Sequence, residues 1–141
     1  LETNVTRPIT DEFAEYINRC YTTREGKEWY WSLSPKLWST AGEKNSKAIK
    51  PEVIGRYAEV SDKGQLKFVV NGSEESWNEV EEHTKAIRDA GCNFPVWIMG
   101  VGGTFEGLVQ TEATIADEAI QRGYNYTSRV HVHIYGNAIG K

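Results

Sequence analysis

The stretch Thr127-Ser128-Arg129-Val130-His131-Val132-His133-Ile134-Tyr135-Gly136-Asn137 alternates apolar Val130, Val132 and Ile134 with His131, His133 and Tyr135. Successive strand side chains point to opposite faces, so the alternation predicts a strand with one greasy face and one polar face, on which two of the chain's three histidines stand together. Gly123, just upstream, predicts the stop of a helix, because glycine takes the left-handed conformation of a helix C-terminus at little cost. The strand therefore follows a helix directly.

Working back from there, Ile115, Ala119 and Ile120 mark a helix that starts at Leu108 or Thr111, behind a glycine-rich loop from Gly100 to Gly107. Pro95-Val96-Trp97-Ile98-Met99 is a nearly continuous apolar run, which predicts a strand covered on both faces. Ser73 is placed to cap a helix whose first turn carries Glu74 and Glu75, whose buried stripe is Trp77, Val80, Thr84 and Ile87, and which stops at Gly91. Leu66-Lys67-Phe68-Val69-Val70 is a short apolar strand. Pro51 opens a helix carrying Val53, Ile54 and Tyr57, with Gly55 inside it. The segment before it, back to Ser34-Pro35-Lys36, is a loop by composition. Glu28 to Ser34 alternates Trp29, Trp31 and Leu33 with Tyr30 and Ser32, an aromatic-rich strand. Thr10 caps a short helix with Phe13, Tyr16 and Ile17 on one side. Leu1-Glu2-Thr3-Asn4, with no initiator Met, reads as the end of a strand whose beginning is missing.

The 141 residues are a one-domain length, and 39% hydrophobic with 26% charged residues is an ordinary globular composition. No apolar run approaches the roughly 18 residues of a membrane span. A net charge of -4 and a pI near 5.4 argue against a nucleic-acid-binding surface. Cys20 and Cys92, far apart and in no metal-ligand spacing, predict reduced thiols and a cytoplasmic chain. His83, flanked by Glu81, Glu82 and Lys85, is expected on the wet side of its helix. Three Asn-x-Ser/Thr sequons, at Asn4, Asn71 and Asn125, read as chance.

Strands alternating strictly with helices require right-handed crossovers and predict an α/β fold with a parallel sheet. Ligands of such sheets sit at the carboxyl ends of the strands. The positions to examine are therefore Glu2 to Asn4, Ser34 to Lys36, Asn71, Met99 to Gly103, and Gly136-Asn137.

Taken together, strands ending Glu2-Thr3-Asn4 and Ser34-Pro35-Lys36, the strands Leu66 to Val70 and Val96 to Met99, and the closing Arg122-Gly123-Tyr124-Asn125-Tyr126-Thr127-Ser128-Arg129-Val130-His131 resemble the carboxyl-terminal half of 7-carboxy-7-deazaguanine synthases, radical S-adenosylmethionine enzymes of 7-deazapurine (queuosine) biosynthesis. The similarity spans nearly the whole chain. It implies the parallel-stranded half of a partial (βα)6-type radical SAM barrel, with residues 1–141 as a single unit. It further implies a lyase that cleaves S-adenosylmethionine at a [4Fe-4S] cluster and, with Mg2+, converts 6-carboxy-5,6,7,8-tetrahydropterin to 7-carboxy-7-deazaguanine with loss of ammonia. The family's cluster cysteines, magnesium-binding threonine and Gly-Gly-Glu loop belong to the first half of the barrel and are absent from this sequence. The expected partners are thus the small pterin substrate, the missing amino-terminal half and a second copy in a homodimer, with no membrane and no direct nucleic-acid contact. Alone, the chain is expected to be inactive and to aggregate or pair with itself through its open sheet edge.

The resemblance assigns Glu2, Asn4, Ser34 and Lys36 to S-adenosylmethionine, and Glu2, Arg129 and His131 to the substrate. Val5 stands where the family usually has glycine, Ser128 where it has proline, and Met99-Gly100-Val101-Gly102-Gly103 where relatives show Met-Pro-Glu-Gly or Gln-Pro. Two rival readings come from the residues alone. His131 and His133 on one strand face have a chelating spacing, with His83 or a carboxylate as third ligand, in a metal-dependent pterin- or nucleotide-handling enzyme. Gly100 to Thr104, between strand and helix, would cradle a phosphate in a non-catalytic nucleotide-binding module, although it lacks the lysine of a P-loop.

Overall fold

Thr10 accepts a hydrogen bond from the Phe13 amide (3.3 Å) and Ser73 one from the Ser76 amide (3.2 Å), so two helices begin where their capping residues predict. The computed structural model describes residues 1–22, 27–42, 44, 48–136 and 138. Its elements run β1 (Glu2–Thr3), α1 (Asp11–Ile17) continuing into a π-helical turn (Asn18–Thr22), β2 (Trp31–Leu33), α2 (Trp38–Ala41), α3 (Pro51–Val60), β3 (Gly64–Val70), α4 (Glu74–Asp89), β4 (Val96–Gly100), α5 (Phe105–Gln121), β5 (Asn125–Tyr126) and α6 (Val130–Tyr135). The fold is α/β, and the five strands form one parallel sheet in the order β1-β2-β3-β4-β5.

That order never reverses, so the sheet has no internal switch point of the kind at which doubly wound folds bind ligands. Its two faces differ instead. Trp31, Leu33, Leu66, Phe68, Val70, Val96 and Ile98 alternate onto a fully buried face. Helical side chains meet this face: the Trp31 ring lies 4.8 Å from that of Tyr57 on α3, and Gly100 leaves only van der Waals room for Ile115 of α5. The opposite face carries Ser32, Gln65, Lys67, Val69, Trp97 and Met99, all half-buried. Burying apolar area stabilises by about 25 cal/mol per Å², so the seven residues of the first face anchor the sheet to its helices. The second face is free to carry polar side chains.

Several expectations are corrected by packing. The apolar run at Val96–Gly100 is not covered on both faces: Val96, Ile98 and Gly100 are buried while Trp97 and Met99 are half-buried. The loop before Pro51 contains the short helix α2, which follows the buried Leu37. Helix α5 begins at Phe105, where Thr104 accepts from the Gly107 amide at 3.2 Å, earlier than the apolar period indicates.

The largest correction concerns Thr127 to Asn137. The fifth strand is only Asn125–Tyr126, extended by a Thr127 amide bond to the Ile98 carbonyl (2.9 Å), and the alternating residues fold as α6. The chain leaves the sheet where Arg129 Nη1 donates to the Gly102 carbonyl at 2.8 Å. The following turn buries Val132 and sets His133 Nε2 3.0 Å from Glu112 of α5, with the Phe105 ring edge-on at 5.5 Å. Long-range contacts to α5 thereby override a local strand preference. Asn137 lies outside the described residues.

Candidate functional site at the carboxyl ends of the strands

The backbone after β1 is pinned from two sides: Lys50 Nζ donates to the Thr6 carbonyl (3.0 Å) and the Tyr57 hydroxyl to the Arg7 carbonyl (3.1 Å). Just before them, fully buried Val5 has φ 53°, the left-handed region that a β-branched residue seldom enters. Asn4 Oδ1 accepts from the Thr6 hydroxyl at 3.0 Å, closing a local turn, so its carbonyl serves the backbone of this corner.

Ser34 and Lys36 follow β2. Ser34 is 4% exposed and its amide continues the parallel ladder to the Thr3 carbonyl (2.8 Å), which fixes the corner against β1. The turn through Pro35 then carries Lys36 to the rim of a cavity of about 230 Å3. Pro35 and Leu37 from the turn after β2, Thr40 and Ala41 from α2 and Val69 from β3 line it, together with Arg129 from the segment before α6. Thr40 is oriented by donating to the Val69 carbonyl at 3.0 Å.

Two cations from distant parts of the sequence therefore meet at one opening. Lys36 has no hydrogen-bond or ion-pair partner among the described residues. Arg129 engages Gly102 through Nη1, while its buried Nε has no hydrogen-bond partner among the described residues. The chemistry of the opening suits an anionic group such as a carboxylate or a phosphate, because guanidinium and ammonium form short charge-assisted hydrogen bonds to either.

Glu2 lies elsewhere on the sheet. Its Oε1 is 2.6 Å from Lys67 Nζ, on the half-buried face, where Gln65 Nε2 also donates to Ser32 Oγ at 3.1 Å. Lys67 and Gln65 escape the sequence reading because they sit inside an apolar strand as its alternate residues. Their signal is the period of two, Gln65-Lys67-Val69 against Leu66-Phe68-Val70.

His131 is exposed on α6 and does not line the cavity. On a helix, positions two apart face different ways, so His131 and His133 do not share the face that a strand would have given them. Among the described residues no group of three or more His, Cys, Asp or Glu is placed to hold a metal ion. His83 is also misread by its neighbours: it is 8% exposed, in line with buried Ser76, Val80 and Ile87. In the glycine loop, a Cβ on Gly102 would stand 2.7 Å from the buried Leu108 side chain, so packing disfavours a larger residue there. Among the described residues, no helix is long and apolar enough to cross a membrane.

No family model, curated protein or solved structure matches the chain.

Proposed function

We propose that the chain is the carboxyl-terminal part of a partial parallel barrel in a radical S-adenosylmethionine lyase, which converts 6-carboxy-5,6,7,8-tetrahydropterin to 7-carboxy-7-deazaguanine with loss of ammonia. The single observation that carries the proposal is the convergence of Lys36 and Arg129 on one cavity at the carboxyl ends of the strands. Both ligands of such an enzyme bear a carboxylate, and a Lys36 ammonium and an Arg129 guanidinium lining one cavity suit that group. The parallel order without reversal and the half-buried polar face are what one sector of a ring of strands needs.

S-adenosylmethionine supplies the radical chemistry when bound. This chain's own residues hold and orient. Lys36 and Arg129 neutralise carboxylate charge, Thr40 and Ser34 keep the corner rigid, and Glu2 on the open face accepts hydrogen bonds from bound ligand. The iron-sulfur cluster does not fit the residues present: Cys20 is half-buried, Cys92 is buried, and both lack cysteine neighbours. Under the proposal its ligands, and those for Mg2+, come from a preceding part of the polypeptide.

The test is made on the intact protein, reconstituted anaerobically and given S-adenosylmethionine and 6-carboxy-5,6,7,8-tetrahydropterin. Formation of 7-carboxy-7-deazaguanine by mass spectrometry is expected, with Lys36→Met and Arg129→Met each weakening ligand binding by about tenfold or more. Absence of product, or variants that bind both ligands as the parent does, would overturn the assignment.

A further inference from the structure

The ion pair between Glu2 and Lys67 joins strands that are not neighbours. Glu2 lies on β1 and Lys67 on β3, with β2 between them. Adjacent strands stand about 4.8 Å apart, so β1 and β3 are separated by about 10 Å, and only two extended side chains close that gap. They pass over a strand whose residues on this side are small: Ser32 is in register with both Glu2 and Gln65, and Ser34 follows two positions on. Lys67 is itself held, with its side chain 16% exposed and Trp97 as its cross-strand neighbour on β4. Glu2, by contrast, is 60% exposed on a two-residue edge strand. An exposed glutamate in that position would sample many rotamers; an ammonium fixed at 2.6 Å selects one. The pair is open to solvent through Glu2, so its contribution to folding is modest and its clearer effect is to orient the carboxylate.

The pair also has a consequence for charge. Lys67 cancels Glu2, and its contact is with Oε1 alone, which leaves Oε2 to accept hydrogen bonds from a ligand. The open face therefore offers a neutral acceptor site, whereas the cavity of Lys36 and Arg129 offers a cationic one. Val69, on the same face of β3 as Lys67 and two residues on, lines that cavity, so the two sites adjoin along one strand.

We propose that Lys67 is a positioning residue that fixes the Glu2 carboxylate to receive a neutral N–H edge of a heterocyclic ligand, while Lys36 and Arg129 receive the carboxylate of the same ligand. The proposal rests on the function assigned above and adds to it the division of one ligand between two sites. Lys67 acts through Glu2 and not by touching the ligand.

The experiment measures binding of two stable probes to the intact protein: pterin, which has the N–H edge alone, and 6-carboxypterin, which has the edge and the carboxylate. Lys67→Met and Glu2→Gln are each expected to weaken both probes about tenfold, with Lys67→Arg restoring most of the loss. The double variant should lose no more than either single one, because residues acting as a unit are not additive. Arg129→Met should weaken 6-carboxypterin and leave pterin unchanged. Thermal unfolding accompanies each variant, and the Lys67→Met loss should persist at a temperature where that variant is fully folded. A loss on Glu2→Gln with none on Lys67→Met, or additive losses in the double variant, would overturn the role of Lys67 and leave the assigned function standing. Failure of the parent protein to bind either probe would overturn both.

Discussion

Gly55 of α3 lies against the carbonyl of Ala90, the residue that ends α4, so closely that a Cβ on Gly55 would overlap the carbonyl oxygen. The contact sets how near the two helices approach, and the obstacle is backbone, which cannot rotate away. Helix propensity alone would favour alanine over glycine by about 1 kcal/mol at such an interior position. Gly55→Ala is nevertheless expected to destabilise, by about 1–3 kcal/mol, because overpacking forces the helices apart. Urea unfolding checks the sign, and a stabilised variant would show that the helices separate freely.

Val5 gives a reversal of a different kind. Its side chain is fully buried, yet its φ of 53° costs an L-residue roughly 1–2 kcal/mol. Val5→Ala and Val5→Gly both forfeit the buried side chain, but only glycine escapes the backbone cost. The glycine variant is expected to be the more stable of the two by about 1 kcal/mol, opposite to the usual order. Paired melting curves decide it.

His83 predicts a pH dependence. Burial holds its imidazole below the ordinary value, against the opposing pull of Glu82 and Glu79. The folded chain thus favours the neutral ring, while the unfolded chain takes up a proton below about pH 6.5. Stability is full above that pH and falls as pH drops through it, by at most about 1.4 kcal/mol per pH unit. His83→Leu is expected to shrink the difference in unfolding free energy between pH 7.5 and pH 5.5. An unchanged difference would place the titration elsewhere.

Legibility of the fold divides along the range of the forces concerned. The caps at Thr10 and Ser73, the proline at the start of α3 and the stop at Gly123 (φ 80°) are local chemistry, and each stands where the sequence places it. The charged neighbours of His83 point to a wet position, but its helical period points to a buried one. In the helix it falls seven residues after Ser76 and four before Ile87, which puts it on the buried stripe. Lys67 is missed for the converse reason: inside an apolar strand, one polar residue looks incidental until the second face of the sheet is seen to be half-open.

Hydrophobic period, capping and right-handed crossovers act over a few residues or one connection, which is why the α/β alternation, the parallel sheet and the candidate residues at the strand ends are legible in the chain alone. Long-range packing settled three other matters. It turned Val130–Tyr135 from strand to helix, it brought Lys36 and Arg129 to one cavity, and it joined Glu2 to Lys67 across an intervening strand. Each depends on contacts between residues tens of positions apart, whose energies exceed a local preference of a few tenths of a kcal/mol per residue and leave no trace in any short window of sequence.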